Sequence, residues 1–243
     1  DHTERMLTGF GYSVVRDGAT CRLQGGGRLQ ACHIDVPSDI SSAAFFLVAA
    51  SIVPGSDLTI KHVGVNPTRV GVLEILKMMG AHIELLNARE VGGEPVADLR
   101  VRYAPLQGIE VPEQLVPLAI DEFPVLFVAA CCAEGVTRVT GAEELRVKES
   151  DRIQSMVDGL TALGARIEGT PDGAVITGGG TGFQFHGGAV QAYEDHRIAM
   201  ALSVAGLRAS GQVTVHDCAN VATSFPNFVG LAREVGFPLT VVS

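Results

Sequence analysis

Leu160-Thr161-Ala162-Leu163-Gly164-Ala165-Arg166-Ile167-Glu168 decides how the rest of the chain is read. Ile153, Met156, Val157, Leu160 and Leu163 recur at helical spacing, so a helix with one apolar stripe runs into Gly164. Glycine accepts the left-handed conformation that ends a helix, and the residues after it are expected as a strand. The same phrase recurs around Gly11 (residues 6–15), Gly80 (75–85) and Gly236 (231–241). Two of the strands turn back through Asp17-Gly18 and Pro171-Asp172-Gly173, both hairpin signals.

A second phrase lies outward from the first. Asp39, Asp121 and Asp195 each open an apolar, Ala-rich stretch, followed by Gly55, Gly135 or Gly211 and a short strand. Stretches apolar nearly all round predict helices buried on every side, and Asp is a preferred N-cap. Strands are expected ahead of each copy, at 32–36, 109–111 and 189–191. The chain therefore repeats a βαβαββ unit at 31–104, at 108–179 and from 188 onward, the last without its final strand. The expected fold class is α/β (α+β): three units forming one domain, 31–243, after residues 1–30 as the tail of a truncated, similar domain. A tail without its body, on a chain opening at Asp1, gives the expectation of a second part of something larger.

The segments leading into the glycine-ended helices hold equivalent places. They are Val65-Asn66-Pro67-Thr68-Arg69, Arg146-Val147-Lys148-Glu149-Ser150-Asp151-Arg152 and Val221-Ala222-Thr223-Ser224-Phe225-Pro226. Asn66 followed by Pro67 is expected as N-cap and N1, and Ser150 as the N-cap of its helix. Three units about one axis would gather three helix N-termini at one end, which attracts phosphate and carboxylate. Taken alone, the charged run at 144–152 reads as a solvated helix start, since charge runs usually are solvated faces. Thr177-Gly178-Gly179-Gly180-Thr181-Gly182 has the composition of a phosphate loop, but no helix carrying Lys-Ser/Thr follows, so a plain loop is expected.

A net charge of −9 without a basic stripe argues against nucleic acid as a partner. The longest apolar run, 43–54, is too short to span a bilayer, and no signal segment opens the chain. Five cysteines lack C-x-x-C spacing, which points away from zinc and redox motifs and toward reduced thiols in the cytoplasm.

Five ordered motifs carry a resemblance: Asn66-Pro67-Thr68-Arg69-x-Gly71, Ile120-Asp121-Glu122-Phe123-Pro124, residues 145–152, Asp195-His196-Arg197-Ile198-Ala199-Met200 and Ser224-Phe225-Pro226. Together they resemble the C-terminal part of the 3-phosphoshikimate 1-carboxyvinyltransferase (EPSP synthase) family, closest to its glyphosate-tolerant class II members. The resemblance implies two domains of three βαβαββ units that close on the substrates. The implied reaction moves the enolpyruvyl group of phosphoenolpyruvate to the 5-hydroxyl of shikimate 3-phosphate and releases phosphate, in aromatic amino acid biosynthesis. It implies no metal and no organic cofactor.

By that resemblance, Asp121 binds the shikimate ring and accepts a proton, although N-capping alone would also explain an Asp there. Glu149 resembles the acid serving the methylene carbon, and Lys148 the neighbouring cation that contacts substrate. Arg152 and Arg197 resemble the guanidinium groups that hold phosphoenolpyruvate, a bidentate task suited to Arg. His196 is read as a polar core residue, and Arg69 as a group at an equivalent helix start. Ala222-Thr223-Ser224 departs from the family pattern by lacking a basic residue before the Phe-Pro pair. The family's N-terminal motifs are absent from this sequence, so the chain alone is expected to be inactive and to need that portion as its partner. The competing readings are a UDP-N-acetylglucosamine enolpyruvyl transferase and a non-catalytic binding fragment.

Overall fold

The computed structural model describes residues 1–242. Helix α1 (His2–Gly9) and the hairpin β1 (Val14–Asp17) and β2 (Thr20–Leu23) come first. Then follow α2 (Ile40–Ile52), β3 (Asp57–Gly64), α3 (Gly71–Met78), β4 (His82–Val91) and β5 (Glu94–Arg102). The middle unit is α4 (Phe123–Cys132), β6 (Glu134–Val139), α5 (Arg152–Ala162), β7 (Arg166–Thr170) and β8 (Gly173–Gly179). The last comprises β9 (Gly188–Gln191), α6 (His196–Gly206), β10 (Val213–His216), α7 (Val221–Ser224) and α8 (Phe228–Glu234).

The units are built alike. Antiparallel sheets of order β3-β5-β4 and β6-β8-β7 serve the first two, and β9 pairs in parallel with β10 across the crossover helix α6 in the third. Gly11, Gly80, Gly164 and Gly236 all take positive φ, between 77° and 92°, which ends α1, α3, α5 and α8 as the sequence predicts.

Three expected strands are missing among the described residues. Residues 32–36 form none; only Ser38 makes a bridge, to Val63, while Ile34 and Val36 stay exposed. Ile109-Glu110-Val111 is reduced to a single bridge between Glu110 and Arg138. Residues 237–241 form no strand, because no neighbouring strand offers them a ladder. In the glycine-rich run, Thr177, Gly178 and Gly179 complete β8, and only the rest is loop.

The core is a triangle of helices. Every residue of α4 is buried, as is nearly all of α2 and most of α6, and the three pack on one another. Around it, each glycine-ended helix crosses into the next unit. The start of α3 abuts residue 118 of the second unit, and α5 packs on α6 of the third, with Leu202 against Gly159. Helix α8 returns to the first unit, where Phe228 lies 6.2 Å from Phe45 and 5.9 Å from Phe46, ring centre to ring centre. Three units thus close on themselves in a ring, each apolar stripe covered by its successor.

Outside the ring, α1 buries no side chain, and β1 and β2 pair only with each other. This segment is fastened by polar contacts: Asn66 Nδ2 donates to Asp1 Oδ1 at 2.7 Å and Arg5 to the Gly93 carbonyl at 3.1 Å.

Gly71 makes the closest approach near the candidate site. Its amide donates to the Leu118 carbonyl, and a Cβ there would lie 2.8 Å from the same backbone. Gly71→Ala must push away the strand of chain that leads into Asp121, so it is expected to cost about 1–3 kcal/mol. A shift of the denaturation midpoint to lower denaturant, at unchanged slope, checks it.

Candidate active site

Buried helices that start at one end of a ring bring their first turns together. Asp39 caps α2 by accepting from the Ser42 amide, and Asp195 caps α6 by accepting from the Arg197 amide, as the sequence predicts. Asp121 is no cap: it lies in a 3-10 turn, Ile120–Glu122, that delivers the chain into α4. Its carboxylate is therefore left facing the neighbouring units. Two further expected caps are displaced. Asp151, rather than Ser150, caps α5, while the Ser150 hydroxyl turns to Asp195 at 3.1 Å. Asn66 closes the turn after it, accepting from the Thr68 amide, and α3 begins only at Gly71.

Asp121, Lys148, Glu149, Arg152 and Arg197 form one cluster. Arg152, at the first position of α5, has a side chain only 1% exposed, and it divides its fork among three carboxylates. Nε donates to Asp195 at 2.8 Å, Nη1 to Asp121 at 3.1 Å and Nη2 to Glu149 at 2.5 Å. Asp121 also has Lys148 Nζ and Arg197 Nη2 at 3.7 Å each, so three cations from two chain segments surround one carboxylate. Lys148 is further paired with Glu144. Depth is graded: Asp195 is fully buried, Asp121 and Lys148 are partly open, and Glu149 is the most exposed.

Ser41, Glu122 and Asp195 complete the cluster and were not assigned to it from the sequence. Ser41 at the start of α2 donates to the buried Glu122, and Arg69 donates to Ser41 at 2.5 Å. The one signal for Glu122 was a carboxylate opening an otherwise apolar run, which demands a partner. Just upstream of Asp195, Tyr193 and Glu194 both hold φ near 55° in a turn closed by the Asp195 amide on the Ala192 carbonyl. Two adjacent non-glycine residues in that region store strain beside the cluster.

Electrostatics separate the carboxylates. Burial, the largest influence on Asp121, raises its pKa, but Arg197, Lys148 and Arg152 together pull it below the usual value. Burial likewise opposes ionisation of Asp195, and the Arg152 hydrogen bond and charge prevail, again lowering it. Glu122 goes the other way: burial raises it against the hydrogen bond from Ser41. Burial, then the charge of Arg197, depresses His196 and favours its neutral form.

A pH dependence follows. The stability that Asp121 and Asp195 contribute is complete above the ordinary aspartate value of 3.8 and is lost as pH falls through their lower folded values. Glu122 has the opposite sign: its burial costs stability as pH rises from 4.5 toward its raised folded value. Denaturation midpoints recorded through the acid range should fall steeply only below pH 3.8.

A cluster with two arginines and a lysine around a carboxylate suits a small, multiply anionic ligand that needs proton transfer. Among the described residues, no group of three or more His, Cys, Asp or Glu is placed to hold a metal ion, and no helix is long and apolar enough to cross a membrane.

The profile of the EPSP synthase (3-phosphoshikimate 1-carboxyvinyltransferase) family matches residues 1–231. The 3-phosphoshikimate 1-carboxyvinyltransferase of Methylococcus capsulatus is 65% identical over 241 residues, covering 99% of this chain and 54% of that protein. Its counterpart in Acidithiobacillus ferrooxidans is 61% identical over 243 residues, covering 100% of this chain and 55% of the relative. Among solved structures, the EPSP synthase of Acinetobacter baumannii superposes with a TM-score of 0.97 at 54% identity, over 100% of this chain and 56% of that one. The enolpyruvyl transferase NikO of Streptomyces tendae shares the fold, with a TM-score of 0.72 at 18% identity, over 95% of this chain and 51% of that one. The chain thus spans about half the length of the relatives it matches.

Proposed function

The chain belongs to the EPSP synthase (3-phosphoshikimate 1-carboxyvinyltransferase) family, and from that premise we propose that it supplies the C-terminal half of an enzyme joining phosphoenolpyruvate to shikimate 3-phosphate. Residues 31–243 are the three-unit domain of that half and residues 1–30 belong with the N-terminal portion, which is its partner in catalysis. The observation that carries the reading is Asp121 beside Arg152 at 3.1 Å and beside Lys148 and Arg197 at 3.7 Å.

In this reading Asp121, held ionised by its three cations, orients the shikimate ring and takes the proton of the attacking hydroxyl. Arg197 and Arg152 receive the carboxylate and phosphate of phosphoenolpyruvate. Glu149, the exposed arm on Arg152 Nη2, exchanges its place for the substrate and serves the methylene carbon. Lys148 supplies a third positive charge beside the attacking hydroxyl as it gives up its proton and beside the departing phosphate. The motif wording supports class II membership, and a cytoplasmic setting belongs to the same reading.

Steady-state phosphate release by the full-length enzyme, with both substrates present, tests the proposal. Turnover dependent on shikimate 3-phosphate supports it. Turnover with UDP-N-acetylglucosamine instead, or binding without turnover, rejects it.

A further inference from the structure

Besides Asp195, Glu122 is the buried acid of the cluster that the proposed reaction does not use. Its side chain is 3% exposed and sits where α2, α4 and α6 begin. Its Oε1 accepts from the Ser41 hydroxyl and stands 3.7 Å from Arg197 Nη1. The same Nη1 donates to the Asp121 carbonyl at 3.1 Å, while Nη2 faces the Asp121 carboxylate at 3.7 Å. Arg197 Nη1 thus stands between a carboxylate and a carbonyl, and the side chain as a whole keeps 14% of its surface exposed. On the far flank, Arg69 Nη2 donates to Ser41 at 2.5 Å and approaches Asp39 at 3.8 Å.

A buried ion pair is a poor way to gain stability, since an apolar residue of similar volume usually serves as well. It does fix geometry. A planar guanidinium binds a carboxylate or phosphate bidentately only when its plane is set in advance.

We propose that Glu122, tied through Ser41 to Arg69, is a positioning residue that sets the plane of Arg197 for the anionic enolpyruvyl donor. The inference rests on the function proposed above. Because Glu122 contacts Ser41 and Arg197 and has no role in the proposed proton transfers, its removal is expected to act on donor affinity and not on the chemical step. Ser41 links the first unit to the second at this point, so the alignment of Arg197 depends on the ring being closed.

The experiment compares wild type, Glu122→Gln and Ser41→Ala in the full-length enzyme by steady-state kinetics, with thermal unfolding alongside. Glu122→Gln is expected to raise KM for phosphoenolpyruvate about tenfold, with kcat within about threefold and KM for shikimate 3-phosphate unchanged. Ser41→Ala is expected to move the donor KM the same way by a smaller factor, and it carries the test alone if Glu122→Gln does not fold. A lowered unfolding temperature with an unchanged donor KM overturns the inference and leaves the proposed function standing. Absence of turnover in the wild type removes that function and this inference with it.

Discussion

Asp121→Asn in the full-length enzyme is expected to lower kcat by about 100- to 10,000-fold, the range associated with losing one acid–base group. The substitution is nearly isosteric, so the turn Ile120–Glu122 and the start of α4 keep their shape. What disappears is the negative charge that Arg152, Lys148 and Arg197 converge on. The two arginines and the lysine keep their own hold on an anionic donor, so donor binding should survive or tighten while turnover collapses. That divergence, read from kcat against donor binding in one variant, separates a proton acceptor from an architectural carboxylate. An equal loss of stability and activity, with no divergence, counts against the assignment.

The largest effect on stability is expected at Asp195→Ala. The Arg152 side chain is buried, and Asp195 is its one fully buried partner, taking Nε at 2.8 Å and standing 3.5 Å from Nη2. Removing one member of a buried pair strands a charge, which costs about 3–5 kcal/mol. The same carboxylate caps α6 through the Arg197 amide and receives the Ser150 hydroxyl, so cap and loop go with it. Chemical denaturation of the full-length enzyme should show a loss comparable to a large share of a domain's stability. Asp195→Asn, which can still cap, should lose less. If the alanine variant fell within about 0.5 kcal/mol of wild type, as an ordinary surface substitution does, the buried pair would not be the tether described here.

Much of the fold could be read along the chain because its determinants are local. A glycine at the end of an apolar stripe is a demand on a single residue, and Gly11, Gly80, Gly164 and Gly236 each meet it. Asp39 and Asp195 cap helices because their first-turn amides lie within reach. The failures are nonlocal. A strand exists only where another strand offers hydrogen bonds, and neither 32–36 nor 237–241 finds one. Ser150 and Asp151 compete for one helix start, and the winner is settled by Asp195, 45 residues onward, which draws off the serine hydroxyl. The grouping of Asp121, Lys148, Glu149, Arg152 and Arg197 was implied by resemblance, since spacing says nothing of which helix ends meet. Ser41 and Glu122 escaped notice for that reason: their partnership crosses 81 residues and depends on the ring closing.

Asp195 ties two events into one. Its oxygens hold the backbone of α6 at Arg197 and the guanidinium at the head of α5 simultaneously. If the first turn of α6 frays and carries Asp195 away, Arg152 loses its one fully buried partner and keeps only Asp121 and Glu149. Hydrogen exchange at the Arg197 amide therefore gauges how long Asp195 stays in place between the two helix heads.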